Sequence, residues 1–292
     1  MNTYTLVTDS TADIPAPILR QYGLRSVPFI YTIGDKDYHY YEDQREMSLA
    51  SFYQQLRDGA MPRTSQVNPQ QYEDFFREIL EEGKDVIYLC FTSALSGSYG
   101  NALLAAENMS EKYPDRRVTV IDSCCASIAG ACLALHTARH MAAEEPSYDE
   151  MVRWVQDKIK EIRTWFVVED MFHLKRGGRV SAVEAAVATA LKIKPILMLG
   201  PAGDLQVKAK QRGIKNAMDY LVDRVRKEGV NTQEQTILIG HASAPERAGK
   251  LMEILRENHL GKDYIITEIG PIIGTHVGAG MLAVSFTGKA EE

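Results

Sequence analysis

The apolar run Asp85-Val-Ile-Tyr-Leu-Cys-Phe91 leads directly into Thr92-Ser93-Ala94-Leu95-Ser96-Gly97-Ser98, and a helical pattern begins at Tyr99. A strand that stops in a hydroxyl- and glycine-rich turn ahead of a helix leaves backbone N–H groups and serine hydroxyls converging on one point. The positive end of the helix lies behind them. That arrangement suits an anion. The turn carries no lysine, which a G-x-x-x-x-G-K-[ST] nucleotide loop would place on its phosphates, so a singly charged carboxylate or a weakly held phosphate fits better. The plainer role for Ser96 is a helix cap that satisfies orphan N–H groups.

Four further stretches hold residues capable of chemistry. Arg63-Thr64-Ser65-Gln66 sits between a Gly-Ala-Met-Pro turn and a helix starting near Pro69, and taken alone it reads as a capped helix start. Gly270-Pro-Ile-Ile-Gly-Thr-His276-Val-Gly-Ala-Gly280 sets a histidine among glycines. Backbone can there approach a ligand closely, and imidazole can donate to an anion or shuttle a proton. In Phe172-His-Leu-Lys175-Arg176-Gly-Gly-Arg179-Val-Ser181, two arginines flank a glycine pair and can grip a phosphate or carboxylate with forked donors. As plain structure, Gly177 would end one helix and Ser181 cap the next. Lys208, Lys210, Arg212 and Lys215 form a basic cluster in an acidic chain, a local reversal of sign that can dock an acidic or phosphate-bearing partner. His136 and His140 have i,i+4 spacing but no adjacent Glu and no third ligand, so no metal site is expected. Neither G-x-S-x-G nor G-x-G-x-x-G occurs, which weighs against the usual hydrolase and dinucleotide folds.

The elements that must position these residues alternate. Strands are expected at Thr5–Thr8, Ser26–Ile33, Val86–Phe91 and Val118–Ile121. Helices are expected to open at Asp13-Ile-Pro15, with Asp13 as an N-cap type residue before a first-turn proline, and to lie at Ser48–Arg57 and Pro69–Glu82, from Tyr99, and from about Cys124 to Met141. Repeated β-α alternation implies a mostly parallel sheet with helices on both faces, and ligands in such sheets sit beyond the carboxyl ends of the strands. Asp9-Ser10, the Thr92–Ser98 turn and Asp122-Ser123 all fall there.

The polar, proline-bearing Glu144-Glu145-Pro146-Ser147 marks a boundary. The expected fold class is therefore α/β with two α/β lobes, 1–146 and 147–292, the second built on a mixed sheet. Its expected elements are helix Tyr148–Ile162, strand Trp165–Glu169 and a helix from Ser181, then strands Ile196–Leu199 and Leu205–Lys208 joined by a hairpin at Pro201–Asp204. Helix Ile214–Lys227, strand Thr236–Gly240, helix Pro245–Leu255, strand Tyr264–Glu268 and a last run Met281–Phe286 follow. At 292 residues, two lobes are the ordinary outcome.

The formal net charge of -6 argues against a nucleic-acid partner. Cys90, Cys124, Cys125 and Cys132 show no framework spacing and read as reduced thiols. No signal-peptide pattern or membrane-spanning run is read in the chain, so a cytoplasmic protein without integral membrane association is expected.

Six motifs in order, Val7-Thr-Asp-Ser-Thr-Ala-Asp13, Thr64-Ser-Gln66, Ser93-x-x-Ser-Gly-Ser98, Ile121-Asp-Ser123, Leu174-Lys-Arg-Gly-Gly-Arg179 and Gly274-x-His-x-Gly-x-Gly280, resemble the DegV family over nearly the whole chain, about 3–288. The resemblance implies a protein that binds a long-chain fatty acid between its two lobes, without cofactor or turnover of its own. It would serve as the lipid-binding subunit of a fatty acid kinase. The acid would be phosphorylated by a separate ATP-dependent kinase subunit to acyl-phosphate and passed to phospholipid synthesis. Carried over by motif, Thr64 and Ser96 would hydrogen-bond the carboxylate, with the Gly97 N–H nearby and His276 closing the polar end. Arg176 and Arg179 would stabilise acyl-phosphate or face the kinase, and Lys208 to Lys215, Arg212 included, would belong to the docking face. Ser98 stands where the family pattern has Thr, and Ala279 where Pro is common. Apolar residues of Val183 to Leu191 and Ile272-Ile273 are candidates for the acyl tunnel. Two other readings stay open at this point: an acyl hydrolase or transferase with Ser96 as nucleophile, His276 as base and Asp122 as orienting acid, and a small-phosphate binder using Arg176 and Arg179.

Overall fold

The computed structural model describes residues 3–180 and 193–290. The helix expected from Ser181 and the tunnel candidates Val183 to Leu191 lie outside the described residues.

A four-stranded parallel sheet is ordered β2-β1-β6-β7, from β1 (Tyr4–Asp9), β2 (Arg25–Val27), β6 (Asp85–Cys90) and β7 (Val118–Asp122). The sequence of β6 explains its central place: all six residues are buried, as an apolar strand covered on both faces must be. Right-handed crossovers put α4 (Ser98–Lys112) on one face with α3 (Pro69–Glu81), and α1 (Ala16–Tyr22) on the other. Two helix starts follow directly from local chemistry. Asn68 and Gln71 form a capping box before Pro69, and Ser147 and Glu150 form another that opens α6 (Tyr148–Ile159).

A six-stranded mixed sheet is ordered β10-β9-β8-β13-β11-β12. Its strands are β8 (Ile162–Val167), β9 (Ile193–Leu199), β10 (Leu205–Arg212), β11 (Thr236–His241), β12 (Asp263–Glu268) and β13 (Leu282–Thr287). Only β11 and β12 run parallel. In β8, Phe166 joins the larger core shared with the parallel sheet, while Trp165 and Val167 join a second core under α8 (Gly213–Glu228) and α9 (Pro245–Glu257). This is the period-two alternation of a strand with two buried faces.

The helix α5 (Ile128–Glu144) lies between the sheets, against β1 on one side and β8, β11 and β13 on the other. Nine of its 17 residues are buried, and its first three turns are apolar nearly all round, as a helix covered on both sides requires.

Four expectations need correction. Ser26–Ile33 is two strands in different sheets: β2 ends at Val27, and Phe29–Ile33 is β3, the centre of a three-stranded antiparallel sheet β4-β3-β5 with Lys36–Tyr40 and Arg63–Ser65. Thr64 is therefore on strand β5, opposite Tyr31, and not in a helix cap. Asp13 does not cap α1, whose N-cap is Pro15. It is buried in the left-handed region at φ 54°. The helix expected from Cys124 starts at Ile128, because Asp122 Oδ1 and Ser123 Oγ accept the N–H groups of Cys124 and Cys125 and keep the chain in a turn. Within the glycine-rich Gly270–Gly280 stretch, Pro271–Val277 is a short helix, α10, with proline in its first turn.

Candidate functional site

A cavity of about 170 Å³ opens at the carboxyl ends of β1 and β6 and reaches across to the inner face of the six-stranded sheet. Its walls are mainly apolar: Phe29 and Phe91 from the parallel side, Phe166 and Leu199 from the mixed sheet, and Ile272 and Val277 from α10. Its polar end gathers Thr64, Ser96 and His276, with Gln66 and Arg179 beside them, and Ser127 also lines the cavity.

The Thr92–Ser98 turn is held by the strand ends beneath it. Asp9 at the end of β1 accepts from the Tyr88 hydroxyl and the Phe91 N–H, both at 2.9 Å, and so fixes the point where the turn departs. Burial of Asp9 raises its carboxyl above the usual range, against the pull of these donors. Asp122 Oδ1 accepts from the Ser93 N–H at 3.1 Å, and the Thr92 hydroxyl donates to the Gly203 carbonyl at 3.2 Å. Ser96 Oγ donates to Ser98 Oγ at 3.0 Å and accepts the Ser98 N–H at 3.2 Å, so it satisfies the first N–H of α4 from the residue before the N-cap. It also lines the cavity. Because hydroxyl protons rotate, the Ser96 hydroxyl can turn from Ser98 Oγ to an acceptor in the cavity. Gly97 is the N-cap residue of α4, and the Gln66 side chain occupies the space a Cβ there would need.

His276, on α10, meets Thr64 across 212 residues of sequence, with Nε2 2.9 Å from Thr64 Oγ1. Burial first, then the nearby Arg179, Arg176 and His173, push its pKa down to about 4. It is neutral at pH 7 and brings no charge to the site. Its Nδ1 has no hydrogen-bond partner among the described residues and lies against Gly177, where a Cβ would come within 3.0 Å. An orphan acceptor is tolerated better than an orphan buried N–H, so the proton belongs on Nε2, which donates to Thr64 Oγ1. The Thr64 hydroxyl can then donate into the cavity.

The glycines around His276 seat protein side chains rather than a ligand. A Cβ on Gly274 would strike Tyr53 and Phe52, and one on Gly278 would strike His173. Arg176 does not line the cavity: its terminal nitrogens donate to the carbonyls of Pro62 and Thr275, both at 3.3 Å, tying the approach to β5 to α10. Arg179 does line it, and donates to Leu95 O at 3.2 Å and Gly177 O at 2.6 Å. Burial lowers its pKa. Lys208, Lys210 and Arg212 are exposed on the edge strand β10, with the strand's register shift falling at Lys208, and none lines the cavity.

Among the described residues no His, Cys, Asp and Glu group of three or more could hold a metal, and His140 stacks flat on Trp154 at 4.3 Å. The hydrolase constellation is not assembled: His276 bonds Thr64 rather than Ser96, and Asp122 Oδ1 is taken by two backbone N–H groups.

Two residues that matter here are not evident in the sequence. Asp13 Oδ1 accepts the Gly270 N–H at 2.8 Å, just before α10, and Oδ2 accepts the Ser127 hydroxyl at 2.6 Å, while its own carbonyl accepts from Thr267. Ser127, at φ 53°, lines the cavity just before α5. One carboxyl thus pins two walls of the cavity. In the sequence Asp13 reads as a helix cap and closes the first of the six motifs, and neither points to this tie.

The architecture is that of an α/β protein whose sheets enclose an apolar cavity, with two hydroxyls, a neutral imidazole and the Arg179 guanidinium at one end. The chain belongs to the DegV family: a family model described as an uncharacterised protein of the DegV family matches residues 3–289. A DegV domain-containing protein of Clostridium perfringens is 38% identical over 292 residues, covering all of both chains. A fatty-acid-binding DegV family protein from Thermus thermophilus has a similar structure, with TM-score 0.87 at 27% identity, covering 98% of this chain and 99% of that one. A DegV lipid-binding protein from Thermotoga maritima matches with TM-score 0.85 at 26% identity over 100% of each chain. No helix among the described residues is long and apolar enough to cross a membrane.

Proposed function

We propose that this protein binds a long-chain fatty acid, with its carboxylate at Thr64, Ser96 and the Gly97 N–H and its tail entering the apolar cavity. One observation carries the reading: an apolar cavity whose polar end gathers two hydroxyls, a neutral imidazole and one guanidinium, Arg179, with no lysine among the described lining residues. The fatty-acid- and lipid-binding relatives of the same fold support it.

The energetics fit. Burying an acyl chain contributes about 0.8 kcal/mol per CH₂, so some fifteen methylenes give roughly 12 kcal/mol gross, against an association cost of about 4–15 kcal/mol. The tail supplies the affinity. The hydroxyls settle which end lies where, with His276 orienting Thr64 rather than touching the acid.

The finer reading is a carrier without cofactor. It presents the acid to a separate ATP-dependent kinase subunit, which phosphorylates it to acyl-phosphate for phospholipid synthesis. Exposed Lys208 and Arg212 offer a basic face for such a partner, and Arg179 stands at the polar end where an acyl-phosphate would form. Denaturing extraction of freshly purified protein, followed by mass spectrometry, should release long-chain fatty acid, and Thr64→Val with Ser96→Ala should weaken rebinding. A protein that comes out empty and ignores added fatty acid sinks the reading. Phosphorylation of the bound acid by a kinase subunit with ATP, measured as acyl-phosphate, tests the carrier role separately.

A further inference from the structure

A cavity of about 170 Å³ is small for a long acyl chain. An engineered cavity of roughly 150 Å³ takes a guest the size of benzene. The first cavity therefore seats the head of the acid and only the first part of its tail.

A second cavity, of about 270 Å³, lies next to it and shares two lining residues, Thr164 and Leu199. The register of β8 and β9 pairs Trp165 with Met198 and Phe166 with Leu197, which sets Thr164 opposite Leu199 on the same face. Along β8, Phe166 and Thr164 line the first cavity, and Thr164 and Ile162 line the second. Residues two apart on a strand share a face and lie about 6.6 Å from one another, so the two cavities are successive segments of one groove. The hairpin turn at Gly200 and Pro201 walls the second cavity, and the turn is fixed to the first site through the Thr92 hydroxyl on Gly203 O.

We infer that the acyl tail passes the Thr164–Leu199 pair into this second chamber, lined by Cys124, Cys125, Ile159 and Ile162 with Lys160 and Arg163 beside them, and that the chamber sets the chain length accepted. The inference rests on the fatty-acid reading above.

The test is an affinity series of saturated acids from octanoate to stearate, with the delipidated protein and its Ile162→Trp variant. In the unmodified protein, affinity should rise roughly fourfold per methylene across the series. In Ile162→Trp the rise should stop at the length the first cavity holds, with octanoate binding unchanged. Stearate bound equally well by both proteins overturns the inference. Failure of the unmodified protein to bind any acid overturns the fatty-acid reading itself and the inference with it.

A second measurement needs no variant. Cys124 is partly exposed, while Cys90, Cys125 and Cys132 are buried. Burial and Asp122 raise the Cys124 thiol, so maleimide labelling is followed at mildly alkaline pH. Stearate should slow labelling of Cys124 at least tenfold and octanoate should leave it unchanged. Equal labelling with and without stearate overturns the inference.

Discussion

Gly177→Ala places the smallest possible addition against the polar end of the cavity. The backbone there is right-handed, with φ -74° and ψ -7°, so alanine meets no conformational obstacle. Its Cβ would nevertheless lie within 3.0 Å of His276 Nδ1 and Cε1. Either the imidazole or the end of α7 (Phe172–Arg176) has to move. Overpacking of this kind costs about 1–3 kcal/mol, offset in part by the roughly 0.4–1 kcal/mol that alanine gains over glycine through the unfolded chain. A displaced ring loses its bond to Thr64, worth about 1 kcal/mol net, so affinity for fatty acid should fall about fivefold. Titration with a fluorescent fatty acid and a thermal melt on the same preparation read both effects. Gly178→Ala is the control: φ is +69° and nothing lies within 4 Å of its Cβ. It should lower stability by about 1 kcal/mol and leave affinity alone. Native-like binding and melting in Gly177→Ala, or equal loss of affinity in Gly178→Ala, would refute the placement of His276.

Burial pushes the Asp13 carboxyl up to about 8, so the folded protein holds this proton more tightly than the unfolded chain does. Stability should therefore fall as pH rises from about 4 to about 8. Asp13→Asn, which mimics the neutral acid, should flatten that slope in melts across the range, recovering on the order of a few kcal/mol near pH 8. For His276 the sign reverses: its pKa of about 4 lies below the ordinary value of 6.5. His276→Gln should remove a loss of stability seen as pH falls from about 6.5 to 4. Arg176→Met, which frees the carbonyls of Pro62 and Thr275, should lower the melting temperature by several degrees and weaken fatty-acid binding about threefold by calorimetry, through looser placement of Thr64 and His276. Raising salt from 0.05 to 0.5 M should change affinity less than about threefold, because the hydroxyl donors are neutral and the half-buried Arg179 is screened little; a tenfold loss would point to an exposed charged receptor.

The larger plan was readable because local signals agreed with it. Pro69 after Asn68, Ser147 before Glu150, and the unbroken apolar β6 each have one structural use. The carboxyl ends of β1, β6 and β7 located the site for the same reason. The small antiparallel sheet escaped notice because its strands are three to five residues long and half polar, so their period is too short to read. Its consequence is large, since β5 carries Thr64. Glycines near His276 read as ligand-facing when they are seats for Tyr53 and His173, a distinction that only tertiary packing makes. Asp13 is harder still: its partners Ser127 and Gly270 lie 114 and 257 residues away.

Those separations bear on the order in which the molecule is made. Thr64 and His276 meet only after 212 residues have been spanned, and the Asp13 tie closes a longer loop still. Contacts of such high sequence separation form late, because loop closure has to precede any return from them. A chain still emerging from the ribosome can complete its parallel sheet but has no receptor until residues near 270–276 have arrived. Ligand, which binds only the finished fold, then adds RT ln(1 + [L]/Kd) to its stability. Fatty acid supply would thereby tune how long the finished protein survives proteolysis.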